Sequence, residues 1–233
     1  RTGTRVEKVE VADGKVNVRV ASEKGVENIS CDKALVAIGV QGNSDNLGLE
    51  ALGVAVGKSF IVIDERMATN VPGVYAIGDV TGPPLLAHVA SHKGKIAVEA
   101  MAGKETPKLD YDMMPRCTYC LPQVASMGLT EAEAKRRGYE VKVGRFPFRA
   151  SGKALAIGEV EGLVKLVTDA KYGDLLGVHM IGPDVTEILA EASLAKAMEA
   201  TSLELGALVH AHPTLSEALM EAALDVSGQA IHI

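Results

Sequence analysis

The chain has 233 residues, enough to bury a substantial core, and its 47% hydrophobic and 23% charged residues are an ordinary globular balance. A net charge of −6, 3% aromatic residues and no Trp argue against the basic patches and stacking platforms of nucleic-acid binders. No apolar run approaches the ~20 residues of a membrane-spanning helix. Cys31, Cys117 and Cys120 are too sparse and odd a set for a secreted disulfide framework, so a reducing cytoplasm is the expected setting.

The opening residues alternate Val9, Val11, Val16, Val18 and Val20 around Asp13-Gly14, a two-residue hairpin signal. Ala34 to Gly39 is a continuous apolar run closed by glycine and predicts a buried strand. The chain starts at Arg1 in strand-like sequence without an initiator Met, so a missing upstream piece is expected. Residues 41 to 112 predict a loop, a strand-like stretch Phe60 to Ile63, and a second one from Val74 into Gly78-Asp79. A Pro-containing loop and a helix from Ala87 to Met101, stopped by Gly103, follow. Strand, tight turn, loop and helix read as an α/β unit, which puts ligands at the carboxyl ends of strands.

From about 113 the pattern turns α+β, with the domain boundary placed near Asp112-Met113-Met114-Pro115. Thr130 and Glu133 have the spacing of a capping box. Strands are expected over Val141 to Phe148, Leu163 to Thr168 and Leu175 to Ile181, the last after a Tyr172-Gly173-Asp174 turn. Ala- and Leu-rich helices near 184–200 and 202–210 precede a last helix near 215–226.

The most informative stretch is His210-Ala211-His212-Pro213-Thr214-Leu215-Ser216-Glu217. Pro213 fixes its own φ and keeps His212 out of helical backbone ahead of that last helix. Thr214 and Glu217 sit three apart, which suits a capping box and makes His212 an ordinary loop residue. The same spacing suits a carboxylate that holds one imidazole nitrogen and leaves the other free as a base. The residues alone leave both readings open.

Gly78-Asp79 has a similar ambiguity: it is a turn, or it is a carboxylate placed to accept hydrogen bonds from sugar-like hydroxyls. Two other stretches are decoys. Gly53 to Ser59 imitates a phosphate loop but is one residue short, with Leu52 where the first glycine belongs. Cys117-Thr118-Tyr119-Cys120 has metal and redox spacing, but a four-ligand zinc site needs a second pair and only Cys31 remains.

His212-Pro213-Thr214-Leu215-Ser216-Glu217 resembles the C-terminal signature of the pyridine nucleotide-disulfide oxidoreductases, and its wording is most similar to the dihydrolipoamide dehydrogenase branch. The resemblance implies that His212 is the base acting on a dithiol and Glu217 its orienter, serving the flavin and disulfide of the other subunit of a homodimer. Thr69 to Asp79 resembles the second flavin-binding segment, which makes Asp79 the ligand of the ribityl chain of FAD. Leu85, Leu86, Ala87 and His88 resemble the loop and helix start beside the flavin ring, with His88 contributing backbone. Ala34 to Gly39 resembles the end of the NAD-binding domain and places Gly39 near the nicotinamide cofactor, although Val40-Gln41-Gly42-Asn43 departs from the usual Arg-rich continuation.

The resemblance spans the chain but only the second half of the family's length, and Gly228 to Ile233 is similar to a natural family terminus. Neither a Gly-x-Gly-x-x-Gly fingerprint nor the family's N-terminal redox cysteine pair is present. The implied architecture is a remnant of FAD- and NAD-binding α/β domains followed by an α+β dimerisation domain with an antiparallel sheet. Residues 1–40 would end the NAD-binding domain, 41–112 return to the FAD domain, and 113–233 form the dimerisation domain. The implied reaction is NAD-dependent oxidation of dihydrolipoamide, on a dimer docked to the acyltransferase core of a 2-oxo acid dehydrogenase complex, in cytoplasm or mitochondrial matrix. The alternatives are a glutathione or mercuric-ion reductase branch, or a non-catalytic dimerisation module.

Overall fold

Asp13 and Gly14 both take positive φ, 52° and 73°, the conformation that a two-residue turn needs between right-twisted strands. In this structure, a computed structural model describing residues 1–233, they join β1 (Arg5–Ala12) to β2 (Lys15–Ser22). A further strand, β3 (Gly25–Cys31), pairs antiparallel with β2 and was not separated by the sequence pattern. Of this three-stranded sheet only Val20 is buried, while Val6, Val9 and Val11 face solvent.

Two apolar runs do not form the strands expected of them. Ala34 to Gly39 is irregular and open, with Leu35 92% and Ile38 93% exposed. No strand of this chain lies beside it, so its backbone has no ladder to join and its side chains no facing layer. Val74 to Asp79 is also irregular, held by a single antiparallel bridge between Tyr75 and Ala68. There the apolar side chains are used differently: Ala76 packs with Leu49, Val54 and Ile61 in a small cluster of buried residues.

Around that cluster lie α1 (Leu49–Leu52) and a hairpin of β4 (Val56–Gly57) and β5 (Phe60–Ile61). Lys58 and Ser59 turn the hairpin with positive φ, so the stretch that imitates a phosphate loop is a helix end followed by a β-turn. The helix α2 spans Ala87–Met101 as the sequence predicts, and Gly103 turns the chain away at φ 73°.

The rest of the chain builds one sheet of five antiparallel strands in the order β6 (Arg116–Thr118), β7 (Gln123–Gly128), β10 (Leu175–Gly182), β9 (Leu163–Asp169), β8 (Val141–Pro147). Between β7 and β8 lies α3 (Glu131–Arg136), and between β8 and β9 lies α4 (Gly152–Ile157). Thr130 Oγ1 accepts from Glu133 N–H at 3.2 Å, but the Glu133 carboxylate turns to Arg136 and Arg137, so half of the expected capping box forms.

Three helices end the chain: α5 (Val185–Ala197), α6 (Ser202–Ala207) and α7 (Glu217–Asp225), each shorter than its sequence pattern. One cluster of 21 buried residues joins the sheet to α5 and α7. At roughly 1.5–3 kcal/mol per buried Val, Leu, Ile, Phe or Met, this cluster is the main stabilising feature. Gly144 of β8 sets how closely α7 approaches: a Cβ there would lie 2.0 Å from the Ala222 carbonyl oxygen. Arg145 N–H also donates to Asp225 Oδ2 at 2.7 Å, fixing the far end of α7. No helix is long and apolar enough to cross a membrane.

Candidate active site

The first turn of α7 carries Glu217, whose two oxygens take different partners. Oε1 lies 2.9 Å from His212 Nδ1, and Oε2 accepts from Thr214 N–H at 2.8 Å. The capping role and the histidine-orienting role, open alternatives in the sequence, are therefore performed together by one carboxylate. The threonine departs from the capping pattern, because its hydroxyl donates to the Ala211 carbonyl at 2.7 Å and does not accept from the helix N–H groups.

His212 is 75% exposed at its side chain and is joined to Pro213 by a cis peptide. A carboxylate at Nδ1 places the proton on that nitrogen and leaves the Nε2 lone pair facing outward, the tautomer of a base. Gly152 of α4 sits under the ring, where a Cβ would lie 3.9 Å from His212 Cε1. Burial pushes the Glu217 carboxyl up, but the Thr214 N–H, the His212 ring and the His212 and His210 charges outweigh it and lower the pKa. Glu217 is thus held ionised.

Two neighbouring histidines repeat the arrangement, and neither was singled out from the sequence. His210 Nε2 lies 2.7 Å from Glu191 Oε1, with its ring nearly buried. His232 Nδ1 lies 2.6 Å from Glu221 Oε1, and Glu221 is 1% exposed. His210 has both ring nitrogens engaged, its Nδ1 lying 3.0 Å from the Leu208 carbonyl oxygen. His232, 63% exposed, shares with His212 a carboxylate at Nδ1 and an Nε2 without a partner, but it lies in the C-terminal tail and not ahead of the α7 N-terminus. The separations in sequence, 19 and 11 residues, explain why no local pattern signals the other two.

A second constellation lies at the start of α2. Gly78, at φ 78°, turns the chain into a 3-10 segment beginning at Asp79, whose exposed carboxylate accepts no hydrogen bond within the chain. Leu85 and Leu86 are half-buried, and Leu86 is extended at φ −134° just before the helix. The N–H groups of Ala87, His88 and Val89 have no acceptor in the chain, and no acidic residue occupies the first turn. The His88 ring instead reaches Pro115, its Nε2 2.9 Å from the carbonyl oxygen. Gly39 is exposed in the irregular segment and makes no hydrogen bond to either constellation, and no hydrogen bond or ion pair joins His212 to Asp79.

Residues 114–223, which include His212 and Glu217, match the family model described as the pyridine nucleotide-disulphide oxidoreductase dimerisation domain. Residues 1–94, which include Asp79 and the start of α2, match the pyridine nucleotide-disulphide oxidoreductase model. The chain belongs to this family. A dihydrolipoyl dehydrogenase of Rhizobium etli is 48% identical over 233 residues, covering 99% of this chain and 48% of that protein. One of Bacillus subtilis is 50% identical over 218 residues, covering 93% of this chain and 46% of the other.

The chain thus spans about half the length of the curated relatives it matches. Among solved structures, LpdA of Mycobacterium tuberculosis superposes with a TM-score of 0.83 at 25% identity, over 94% of this chain and 48% of that one. The HOCl-induced flavoprotein disulfide reductase RclA of Escherichia coli gives 0.84 at 24% identity, over 94% and 50%, a likeness of fold. These oxidoreductases share the mixed architecture seen here, α/β elements followed by an antiparallel-sheet domain.

Proposed function

We propose that this sequence is the C-terminal part of a dihydrolipoamide dehydrogenase, which oxidises dihydrolipoamide to lipoamide while reducing NAD. The observation that carries the reading is the His212–Glu217 pair, an exposed imidazole with its inner nitrogen on an ionised carboxylate. His212 Nε2 takes the proton from one substrate thiol, and Glu217 stabilises the imidazolium that results. Pro213 keeps the histidine ahead of the helix. The thiolate then attacks a cysteine disulfide supplied by sequence outside this chain.

The residues at the second constellation fit FAD. An Asp79 carboxylate that accepts no hydrogen bond within the chain suits ribityl hydroxyls, and three free N–H groups at the start of α2 suit an electron-rich ring edge flanked by Leu85, Leu86, Ala87 and His88. When bound, FAD carries the electron pair from the reduced disulfide to NAD. Gly39 is assigned to the nicotinamide side through the family resemblance, with residues 1–40 in the NAD-binding domain, 41–112 in the FAD domain and 113–233 in the dimerisation domain.

A homodimer is part of the same reading, because residues 114–223 match a dimerisation-domain model and the family resemblance has His212 serve the flavin and disulfide of the other subunit. Docking on the acyltransferase core of a 2-oxo acid dehydrogenase complex, in cytoplasm or mitochondrial matrix, belongs to it as well. The test is dihydrolipoamide-dependent NAD reduction by the full-length protein. Faster turnover of glutathione disulfide or mercuric ion would overturn the substrate assignment. The absence from this sequence of a Gly-x-Gly-x-x-Gly fingerprint and of the family's N-terminal cysteine pair favours a second reading, in which the isolated chain is a non-catalytic dimerisation module. A colourless dimer after gel filtration supports it for the fragment, and a retained flavin band rejects it.

A further inference from the structure

The buried face of α2 contains one residue foreign to it. Val89, Ile96, Ala97 and Ala100 are apolar, yet Lys93 stands among them only 2% exposed. A buried ammonium is costly unless its N–H groups and charge are answered. Lys93 Nζ donates to Thr81 Oγ1 at 2.9 Å and lies 5.5 Å from the centre of the Tyr111 ring. Burial pulls the lysine pKa down, and the Asp79 carboxylate offsets part of that effect, so Asp79 supplies the opposing charge.

The Thr81 hydroxyl that accepts from Lys93 itself donates to the Gly78 carbonyl at 2.7 Å. A relay thus runs from the helix to the peptide immediately before Asp79. Small residues on the same helical face allow this closeness. A Cβ on Gly78 would lie 3.8 Å from Ala90 Cβ, and a Cβ on Gly94 would lie 3.3 Å from Ile77 Cδ1. Ala90, Lys93 and Gly94, three and four residues apart, therefore form the bed on which Ile77 to Thr81 rests.

We propose that Lys93 is a positioning residue for the flavin site: acting through Thr81, its ammonium holds the Gly78–Thr81 turn so that Asp79 presents its carboxylate to the ribityl hydroxyls. This inference rests on the flavin reading above. A neutral side chain at 93 removes both the donor to Thr81 and the charge opposing Asp79, whereas Arg keeps both. The charged and titratable groups facing Lys93 are Asp79 from the turn and Tyr111 from the segment before β6. Burial pushes the Tyr111 phenol up, so it titrates above its ordinary range.

The test is flavin affinity of the full-length holoprotein, measured from about pH 7 to about pH 10 for the unaltered protein, Lys93→Met and Lys93→Arg, beside thermal unfolding of each. Lys93→Met is expected to weaken flavin binding about tenfold at neutral pH, with Lys93→Arg restoring it. Affinity of the unaltered protein should decline as pH rises through the depressed lysine pKa, while the Arg variant stays level. Met binding as tightly as the unaltered protein, or Arg binding as weakly as Met, overturns the inference and leaves the flavin reading standing. If the Met variant does not fold, the two remaining profiles decide, and identical declines overturn the role. Absence of flavin binding by the unaltered protein overturns the flavin reading and the inference with it.

Discussion

Residues 113–233 and residues 1–112 solve the problem of burying apolar side chains in opposite ways. The later region gathers 21 buried residues into one core, with both α5 and α7 against its five-stranded sheet. The earlier one has clusters of four and three buried residues, a nearly uncovered three-stranded sheet and an open apolar strip from Leu35 to Val40. A strongly apolar sequence is therefore not sufficient for a strand: it needs neighbours that supply a ladder and a facing layer. The proposed base, His212, is attached to the region with the large core, where Glu217 of α7 holds it. The Asp79 constellation belongs to the region whose apolar surface is left without partners.

The sharpest test of this contrast is catalytic. In the full-length protein His212→Gln should lower turnover by roughly 10²–10⁴-fold while flavin absorbance remains, because the proposed base and the proposed flavin residues lie in different regions. Near-normal turnover would remove His212 from the mechanism, and flavin loss would show that the regions are coupled. Asp79→Ala should do the reverse, releasing flavin without unfolding the five-stranded sheet. Equilibrium dialysis against FAD with circular dichroism of the flavin-free protein measures both halves of that outcome.

Stability separates the regions more directly. Leu219 is fully buried in the large core, and Leu219→Ala should cost about 2–5 kcal/mol in denaturant unfolding. Leu35→Ala removes a side chain that touches little and should shift the same transition by no more than about 0.5 kcal/mol. A large effect at Leu35 would mean that the strip is covered in the protein as it folds in solution.

What the sequence made legible follows the same division. Asp13-Gly14, Gly103 and three strands of the five-stranded sheet, β8, β9 and β10, were readable because each depends on contacts close in the chain or on a period that a single packed face imposes, whereas β6 and β7 were not. The strands expected at Ala34–Gly39 and Val74–Asp79 failed because pairing is non-local, and apolar runs carry no record of whether a partner is present. At the site, the Thr214–Glu217 spacing was legible as two competing roles, and only the geometry shows one carboxylate filling both. Lys93 leaves a readable trace, a cation at the spacing of Val89, Ile96 and Ala100 on one face of α2, but nothing local marks Thr81 as its partner. His210–Glu191 and His232–Glu221 leave none.

The smallest expected effect concerns the surface of the region with the large core. Hydrogen bonds from Lys135 and Lys165 hold the Glu131 carboxyl at about 2, and those from Arg136 and Arg137 hold Glu133 at about 2. Their ordinary value is 4.5, so the folded state binds these protons less readily than the unfolded one. Whatever stability they contribute is then complete above about pH 4.5 and is lost as pH falls toward 2. Both groups are open to water, so screening keeps the contribution small and makes it salt-sensitive. Thermal unfolding of Glu131→Gln should show a shallower fall in stability across that acid window than the unaltered protein, with the two curves converging at its lower end. Parallel curves would mean that these ion pairs add nothing to folding, leaving the apolar core alone to account for the stability of residues 113–233.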